Sequence, residues 1–381
     1  MTAPRIDTDL GKIEQNTRIL VDRLARVGIR VTGVTKAVLG SPGVAAAMLR
    51  GGACGLGDSR VPNLARLSAP LRTLIRTPML SQAGRVVDVA DVSLNTGPTV
   101  LAALDHAASR TGRAHGVVLM IELGDLREGI APDDAPEAVR AVLGHPWLRL
   151  AGLGANLACQ NGVVPDDRNM GVLSALVEHV EARHGISLDV VSGGNSANLS
   201  WALSTGHVGR VDELRLGEAI LLGVDPLHRT PIPGLHTDAS TVVAEVIEVA
   251  VKPARPWGDR AQAAFGDAPA RTGTGPVHQA ILALGRQDVD PDGLRPPEGV
   301  TVLGTSSDHL VVDLGDHLVE VGDEMGFGVG YGAFLRAMTS PFVRKVEHPG
   351  RPAQGSRART SSGSGPPGSI TTTASSKPAS A

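Results

Sequence analysis

Residues 29–36 read IRVTGVTK, a β-branched run that ends on a lysine. A mostly apolar stripe from Ile13 to Val27 precedes this run at helical spacing, after a capping residue at Thr8 or Asp9. The stretch therefore predicts a helix followed by a buried strand, with the lysine at the strand's carboxyl end.

The same unit recurs over residues 1–225. Further apolar runs occupy residues 53–58, 73–77, 91–95, 116–123, 148–156, 188–195 and 212–218. Helical patterns occupy residues 42–51, 60–68, 98–110, 135–144, 170–185 and 196–205. Apolar strands that alternate with helices are typical of a parallel sheet, and eight of them predict a (β/α)8 TIM-like barrel. An open doubly wound sheet is the alternative fold.

The pattern changes near residues 224–238, where a connection rich in proline and glycine begins. Short β-branched runs follow at residues 240–251, 280–285, 299–304, 309–314 and 317–325. Gly, Asp and Pro turns separate them, as is typical of antiparallel strands. We therefore predict an α/β protein whose second, mostly antiparallel β domain covers residues 226–346, with a long loop at 252–276.

Residues 347–381 are predicted to form a disordered tail rich in Pro, Ser and Thr. From Pro349 onward the tail holds four basic and no acidic residues, and Ile370 is its only large apolar residue. Such a segment cannot bury enough surface to offset the entropy of ordering it. Because the whole chain carries a formal net charge of −3, the preceding 348 residues carry −7.

Composition excludes several classes of protein. With 36 basic and 39 acidic residues, the chain lacks the basic excess of a nucleic-acid binder. No run approaches the roughly 20 apolar residues of a membrane span. Two cysteines, Cys54 and Cys159, and an opening without a signal-peptide pattern predict a cytoplasmic protein with reduced thiols. The single tyrosine, Tyr331, excludes any mechanism that needs two tyrosines.

Polar residues after the strands are the candidates for chemistry, because barrels of this class form their active sites there. Lys36 follows the first run, and a partly buried lysine suits Schiff-base chemistry. The segments SGGNSAN (192–198) and RLGE (215–218) place backbone N–H groups at strand-to-helix turns that suit a phosphate. Together these features predict pyridoxal phosphate, although a sugar-phosphate aldolase would use the same parts.

Longer motifs make the assignment more specific. They include IDTDLGKIEQNTR (6–18), VTKAVLG (34–40), GDSRVPNL (57–64), LGDLREGI (123–130), SGGNSANL (192–199), LRLGEAILLG (214–223), LGRQDVDPDGL (284–294), GTSSDHLVVDLG (304–315) and YGAFLRAMTSPFV (331–343). Over residues 1–346 the chain resembles the fold-type III pyridoxal-phosphate enzymes of the alanine racemase group, above all the ornithine racemase (alanine/ornithine racemase) branch. The resemblance implies a pyridoxal-phosphate-dependent amino-acid racemase.

The resemblance also implies roles for single residues. Lys36 would bind the cofactor as a Schiff base and abstract the substrate's α-proton, while Arg215 would face the pyridine nitrogen. Arg127 would lie near the substrate carboxylate. Some relatives orient this arginine with a modified lysine, and because Met120 stands in its place here, we expect another group to hold Arg127. The remaining implied cofactor contacts are Asn156, Asn195, Ser196, Gly217, Glu218 and Tyr331.

The second proton donor is where the chain departs from the family. Alanine racemases use a tyrosine of the partner subunit, but the matching stretch around Phe265 contains none, and Tyr331 matches the phosphate-binding tyrosine. Histidine has the most suitable ordinary pKa for proton transfer, which favours His309. Asp308, Asp288, Asp290 and Cys159 are the other candidates.

The substrate is expected to be ornithine or another basic amino acid, with alanine as the alternative. A distal ammonium group needs a carboxylate partner, for which Asp288, Asp290 and Asp308 are the candidates. The resemblance implies a homodimer, since the partner's β domain completes related sites. Two other functions fit the family: a non-catalytic pyridoxal-phosphate carrier, which would be a single barrel, and a D-amino-acid aldolase or dehydratase, which would need a metal site. The sequence shows no compact His/Cys cluster for a metal.

Overall fold

A short strand, β1 (Arg5–Asp9), precedes eight parallel strands that close into a barrel in the computed structural model of this protein. The structure describes residues 3–266 and 273–350. The barrel strands are β2 (Arg30–Val34), β3 (Gly55–Asp58), β4 (Arg72–Leu74), β5 (Val92–Asn95), β6 (His115–Met120), β7 (Leu148–Gly154), β8 (Val190–Gly194) and β9 (Glu213–Leu216). Each falls within or beside one of the eight apolar runs, so the predicted barrel is confirmed.

Helices connect the barrel strands on the outside. They are α1 (Leu10–Ala25), α2 (Pro42–Arg50), α3 (Val61–Leu64), α4 (Ala83–Val89), α5 (Pro98–Thr111), α6 (Ala135–Leu143), α7 (Asp167–His184), α8 (Leu199–Ser204) and α9 (Glu218–Leu222). The Asp9 carboxylate caps α1 by accepting from the backbone N–H groups of Gly11, at 2.8 Å, and Lys12, at 3.1 Å. Helix α4 was absent from the sequence prediction, because its seven residues are too short for a helical period to stand out.

The second sheet is built from the later strands. They are β10 (Ser240–Pro253), β11 (Pro276–Leu282), β12 (Leu294–Arg295), β13 (Thr301–Thr305), β14 (Leu310–Asp313), β15 (Glu324–Val329) and β16 (Arg344–His348), with the helix α10 (Tyr331–Thr339) before the last. Six of the strands pair in the order β12-β15-β10-β11-β14-β13, all antiparallel. The mostly antiparallel β domain is therefore confirmed as part of the fold.

Three details of the second sheet differ from the sequence prediction. Strand β1, assigned to the barrel domain, pairs with β10 and with β16 instead. Residues 317–323, predicted to lie in a strand, form an irregular connection before β15. Glu347 and His348, assigned to the tail, lie in β16. The rest of the predicted tail, from residue 351, lies outside the described residues.

The core is continuous from the barrel helices to the second sheet. Its largest fully buried side chains include Ile13 and Leu20 of α1, Phe327 of β15 and Phe334 of α10. Helix α10 also packs against the turn that follows β2. The second sheet is thereby fixed close to the carboxyl ends of the barrel strands. Within the described part of the chain, no helix is both long and apolar enough to cross a membrane.

Candidate active site

A cavity of about 700 Å³ opens at the carboxyl ends of the barrel strands. Residues that follow β2, β3, β4, β6, β7, β8 and β9 border it, together with the first residue of α10. This is the end at which barrels of this class carry their chemistry. The polar and charged residues that border the cavity are Lys36, Ser59, Arg76, Thr77, Arg127, Glu128, Asn156, Cys159, Asn195, Ser196, Arg215, Glu218, Arg229 and Tyr331.

Lys36 extends from a tight turn directly after β2. The turn continues through Leu39 and Gly40, both in the left-handed region with φ of 53° and 64°. A Cβ atom on Gly40 would lie 2.7 Å from the carbonyl oxygen of Asn63, so this close approach requires glycine. Lys36 itself is exposed at the cavity rather than partly buried as the sequence reasoning assumed.

The turns after β8 and β9 meet at one end of the cavity. Ser196 is buried, and its Oγ atom accepts a hydrogen bond from the backbone N–H of Ala219 at 3.2 Å. Gly217 and Glu218 precede this contact, and Tyr331 borders the same cavity from α10. Burial raises the pKa of Tyr331 to about 12, so its hydroxyl keeps its proton and can donate a hydrogen bond.

Glu218 and Arg229 form an ion pair at the same end. Burial raises the pKa of the Glu218 carboxyl, while the charges of Arg229 and Lys36 lower it. Arg229 was not predicted as a site residue. It lies in the connection after the barrel, where neither a strand end nor a periodic pattern indicates it.

Arg215 lies below the cavity floor on β9 and is only 4% exposed. Its guanidinium donates to the Ser192 hydroxyl and, at 2.8 Å, to the Ala155 carbonyl. Burial lowers the pKa of Arg215, whereas the charge of Glu213 raises it. These two hydrogen bonds hold the side chain in one orientation at the border of the cavity.

Arg127 and Glu128 form an ion pair on the loop after β6. The Nε and Nη2 atoms of Arg127 face the Glu128 carboxylate, and Nη1 donates to the Cys159 thiol at 2.6 Å. The expectation that another group holds Arg127 now has a structural basis, because Met120 is a buried core residue and Glu128 makes the contact.

Asp125 joins this loop to the one after β7. Its buried carboxylate accepts backbone hydrogen bonds from Cys159 at 3.1 Å, Gln160 at 2.9 Å, Asn161 at 3.1 Å and Val163 at 3.4 Å. Burial raises the pKa of Asp125, but the N–H donors outweigh it and hold that pKa below its ordinary value. Both loops at this end of the cavity are therefore fixed by one carboxylate.

Asn156 and Asn195 meet between the two ends. The Nδ2 atom of Asn195 donates to Asn156 Oδ1 at 3.2 Å and to the Leu157 carbonyl at 2.8 Å. The Nδ2 atom of Asn156 is buried and has no hydrogen-bond partner among the described residues. A buried donor without a partner costs free energy, so this atom suits an acceptor on a bound ligand.

The second-domain residues predicted as second base or as partner of the substrate ammonium do not border this cavity in their own chain. Asp308 and His309 are exposed in the turn between β13 and β14, where both backbone N–H groups donate to Ser306 Oγ. Such local side-chain bonds are typical of turns. Their roles as second base remain predictions that depend on a partner subunit.

Asp288 and Asp290 likewise hold backbone structure. The buried Asp288 carboxylate accepts from Ser340 Oγ and from the Gly285 N–H, both at 3.2 Å. Asp290 accepts from the Asp292 N–H at 3.4 Å in a one-turn 3-10 segment. Neither borders the cavity of its own chain.

The charge of the lining fits pyridoxal phosphate. Five of the bordering side chains are cationic, namely Lys36, Arg76, Arg127, Arg215 and Arg229, against the two carboxylates of Glu128 and Glu218. This positive excess within an acidic protein suits a phosphate and a substrate carboxylate. A lysine amine and the unpartnered Asn156 donor complete a set of groups for a phosphorylated aldehyde. In the described ranges, no three His, Cys, Asp or Glu side chains lie close enough to hold a metal ion.

Residues 8–226 match the family model described as alanine racemase, N-terminal domain. The match covers more than half of the chain. The chain belongs to the alanine racemase family. The resemblance drawn from the sequence motifs is thereby confirmed.

Two curated relatives align with most of the chain. The chain is 38% identical to a lysine racemase of Thermotoga maritima over 357 residues, covering 92% of this chain and 99% of the relative. It is 32% identical to an ornithine racemase of Acetoanaerobium sticklandii over 350 residues, with coverages of 90% and 99%. A crystal structure of alanine racemase from Streptomyces lavendulae superposes with a TM-score of 0.70 at 21% identity, covering 92% and 99% of the two chains. At that identity the superposition shows the shared fold.

Proposed function

We propose that this amino-acid racemase acts on basic amino acids, with ornithine and lysine favoured over alanine, and uses pyridoxal phosphate. The observation that carries the proposal is that one cationic cavity is bordered by Lys36, Arg127, Arg215 and the turn at Ser196. The lysine and ornithine racemases similar to this chain support the choice of substrate.

The residues around the cavity divide between cofactor and substrate. Lys36 would bind the aldehyde, and Ser196 with the N–H groups of Gly217 and Glu218 and the Tyr331 hydroxyl would bind the phosphate. When bound, pyridoxal phosphate withdraws electrons from the substrate's Cα and acidifies its proton. Asn156 and Asn195 lie between the two ends and would contact the cofactor there.

Arg215 would donate a hydrogen bond to the pyridine nitrogen without giving up its proton. A guanidinium stays charged at any physiological pH, so it leaves that nitrogen unprotonated. By leaving the nitrogen unprotonated, Arg215 would weaken the electron withdrawal that the cofactor supplies and so favour return of the proton to Cα over other reactions.

Arg127 would bind the α-carboxylate and so place Cα within reach of Lys36 Nζ. The amine takes the proton from one face of Cα, and a second group returns one to the other face. Three candidates remain for that group. His309 and Asp308 require a homodimer in which the partner's β domain reaches the cavity, whereas Cys159 borders it within the same chain. We propose the homodimer and a cytoplasmic location along with the reaction.

The test combines spectroscopy with chiral chromatography. The purified protein, loaded with pyridoxal phosphate, is scanned for the visible band of lysine-bound cofactor and incubated with L-ornithine, L-lysine, L-arginine, L-alanine and L-serine. We expect D-ornithine or D-lysine to form fastest, and Lys36→Ala to abolish both the band and the reaction.

Two results would overturn parts of the proposal. A band that survives Lys36→Ala would disprove the assignment of the lysine. A normal band with no interconversion of any amino acid would instead favour the carrier function. Loss of turnover in one of three single variants then identifies the second proton donor. The variants are His309→Ala, Asp308→Asn and Cys159→Ser.

A further inference from the structure

The cavity offers two carboxylates among the described residues that border it, Glu128 and Glu218. Glu218 begins α9 beside Ser196 and Tyr331, at the end that suits a phosphate, and it is paired with Arg229. Glu128 lies on the loop after β6, beside Arg127. Because the cofactor's phosphate would occupy the space beside Glu218, that carboxylate is the less accessible partner for a cationic substrate group.

The loop that carries Glu128 is built to hold it in place. The Glu122 carboxylate accepts from the N–H groups of Gly124, at 2.5 Å, and Leu126, at 3.0 Å. Asp125 ties the same loop to residues 159–163 through its backbone hydrogen bonds. A short bridge between Ile121 and Ile130 closes the loop at its base. A ligand group that binds Glu128 therefore meets a carboxylate whose position is already fixed.

The ion pair of Arg127 and Glu128 can bind both charged ends of a basic amino acid, the α-carboxylate at Arg127 and the distal ammonium at Glu128. Two nitrogens of its guanidinium face Glu128, and the third, Nη1, faces the Cys159 thiol, a weak acceptor that a carboxylate can displace. An α-carboxylate on Nη1 would lie on the other side of the guanidinium from Glu128. The Glu128 side chain is 29% exposed, so its carboxylate has lone pairs left for another donor while being partly removed from solvent.

Within their own chain, the acidic residues that the sequence favoured, Asp288, Asp290 and Asp308, do not border the cavity. Asp288 is buried against Ser340 and the Gly285 backbone, and Asp290 caps a turn. We propose, on the basis of the racemase function proposed above, that the Glu128 carboxylate binds the distal ammonium of the substrate. Glu128 thereby selects basic over neutral amino acids, and it balances the charge of Arg127 when no substrate is bound.

The test compares L-lysine with L-norleucine, which has the same chain without the ammonium group. Dissociation constants are measured by calorimetry on the holoenzyme, and KM and kcat by chiral chromatography, for the wild type, Glu128→Gln and Glu128→Asp. Glu137→Gln serves as the matched control, because Glu137 is an exposed carboxylate on α6 away from the cavity. We expect Glu128→Gln to weaken L-lysine binding by about 10- to 100-fold, the loss typical of a charged hydrogen-bonded pair.

L-norleucine distinguishes direct binding of the ammonium group by Glu128 from an indirect effect of Glu128 through Arg127. Glu128→Gln should weaken L-norleucine binding far less than L-lysine binding, because the glutamine amide oxygen can still accept from Arg127, and Glu128→Asp should restore part of the preference for L-lysine. Equal weakening of both ligands would overturn the proposal, because Glu128 would then act only through Arg127. The proposal would also be overturned if Asp290→Asn, rather than Glu128→Gln, abolished the preference for L-lysine over L-norleucine. A wild-type protein without that preference would overturn it as well. Tight, Glu128-dependent L-lysine binding without any D-lysine would sustain this inference and disprove the racemase reaction.

Discussion

Thr35, the residue before Lys36, donates a 2.8 Å hydrogen bond from its Oγ1 atom to the carboxylate of Asp58. Asp58 is fully buried, and it also accepts from the Arg60 N–H at 2.9 Å and from Asn63 Nδ2 at 3.1 Å. Burial raises the pKa of Asp58, and these hydrogen bonds oppose that rise. One carboxylate thus joins the end of β2 to the turn after β3 and fixes the backbone from which Lys36 extends.

Thr35→Val should lower the free energy of unfolding by about 1–3 kcal/mol, because it removes a donor from a buried carboxylate while keeping the shape of the side chain. Urea denaturation monitored by circular dichroism measures the change. Thr35→Ser retains the hydroxyl and should stay close to the wild type. Equal stability of the valine and serine variants would contradict the role of this hydrogen bond.

Arg215→Lys should lower kcat by about 10- to 100-fold and the free energy of unfolding by about 1–3 kcal/mol, because a lysine cannot direct two donors to Ser192 and Ala155 in the fork of a guanidinium. Racemisation at saturating substrate gives kcat, and urea denaturation gives stability. Ser192→Ala removes one of the two contacts and should have the smaller effect. A lysine variant with wild-type turnover would show that the orientation of Arg215 is dispensable.

One thiol should react quickly with a disulfide reagent at pH 8. Cys159 is exposed at the cavity, whereas Cys54 is half-buried and burial, aided by the charge of Glu213, raises its pKa. Released thionitrobenzoate, followed by absorbance, should therefore show one fast equivalent in the native protein and two after denaturation. Cys159→Ser should remove the fast phase, and bound L-lysine should slow it. Fast reaction of both thiols in the native protein would disprove the assignment.

The barrel could be predicted because its signals are local. Each barrel strand is a mostly apolar run of three to seven residues, and the intervening helices have their own period. Strand β1 escaped correct assignment because its partners are distant in sequence: Arg5 pairs with Val243 and with Arg344. No local pattern in residues 5–9 distinguishes these pairings from a place in the barrel.

The candidate site was predictable where it follows the strands. Closure of a parallel barrel brings all carboxyl ends to one rim, so Lys36, Asn156, Ser196 and the residues after β9 meet without further information. Glu128 was passed over, although its place beside Arg127 was a usable signal. Arg229 offered none, since the position of its loop depends on how the chain leaves the barrel.

His115 should make stability fall as the pH is lowered. Its ring is buried, its Nε2 atom is 2.8 Å from Ser93 Oγ, and burial lowers its pKa to about 4 from the ordinary 6.5. Between pH 6.5 and pH 4 the unfolded chain binds a proton at His115 that the folded chain does not bind. The contribution of His115 to the free energy of unfolding is therefore complete above pH 6.5 and is lost as the pH falls toward 4. From pH 7 to pH 5 the loss from this group should be about 2 kcal/mol. His115→Gln, which can hydrogen-bond but does not titrate, should flatten the pH dependence of unfolding in urea over this interval, and an unchanged slope would show that other groups determine it.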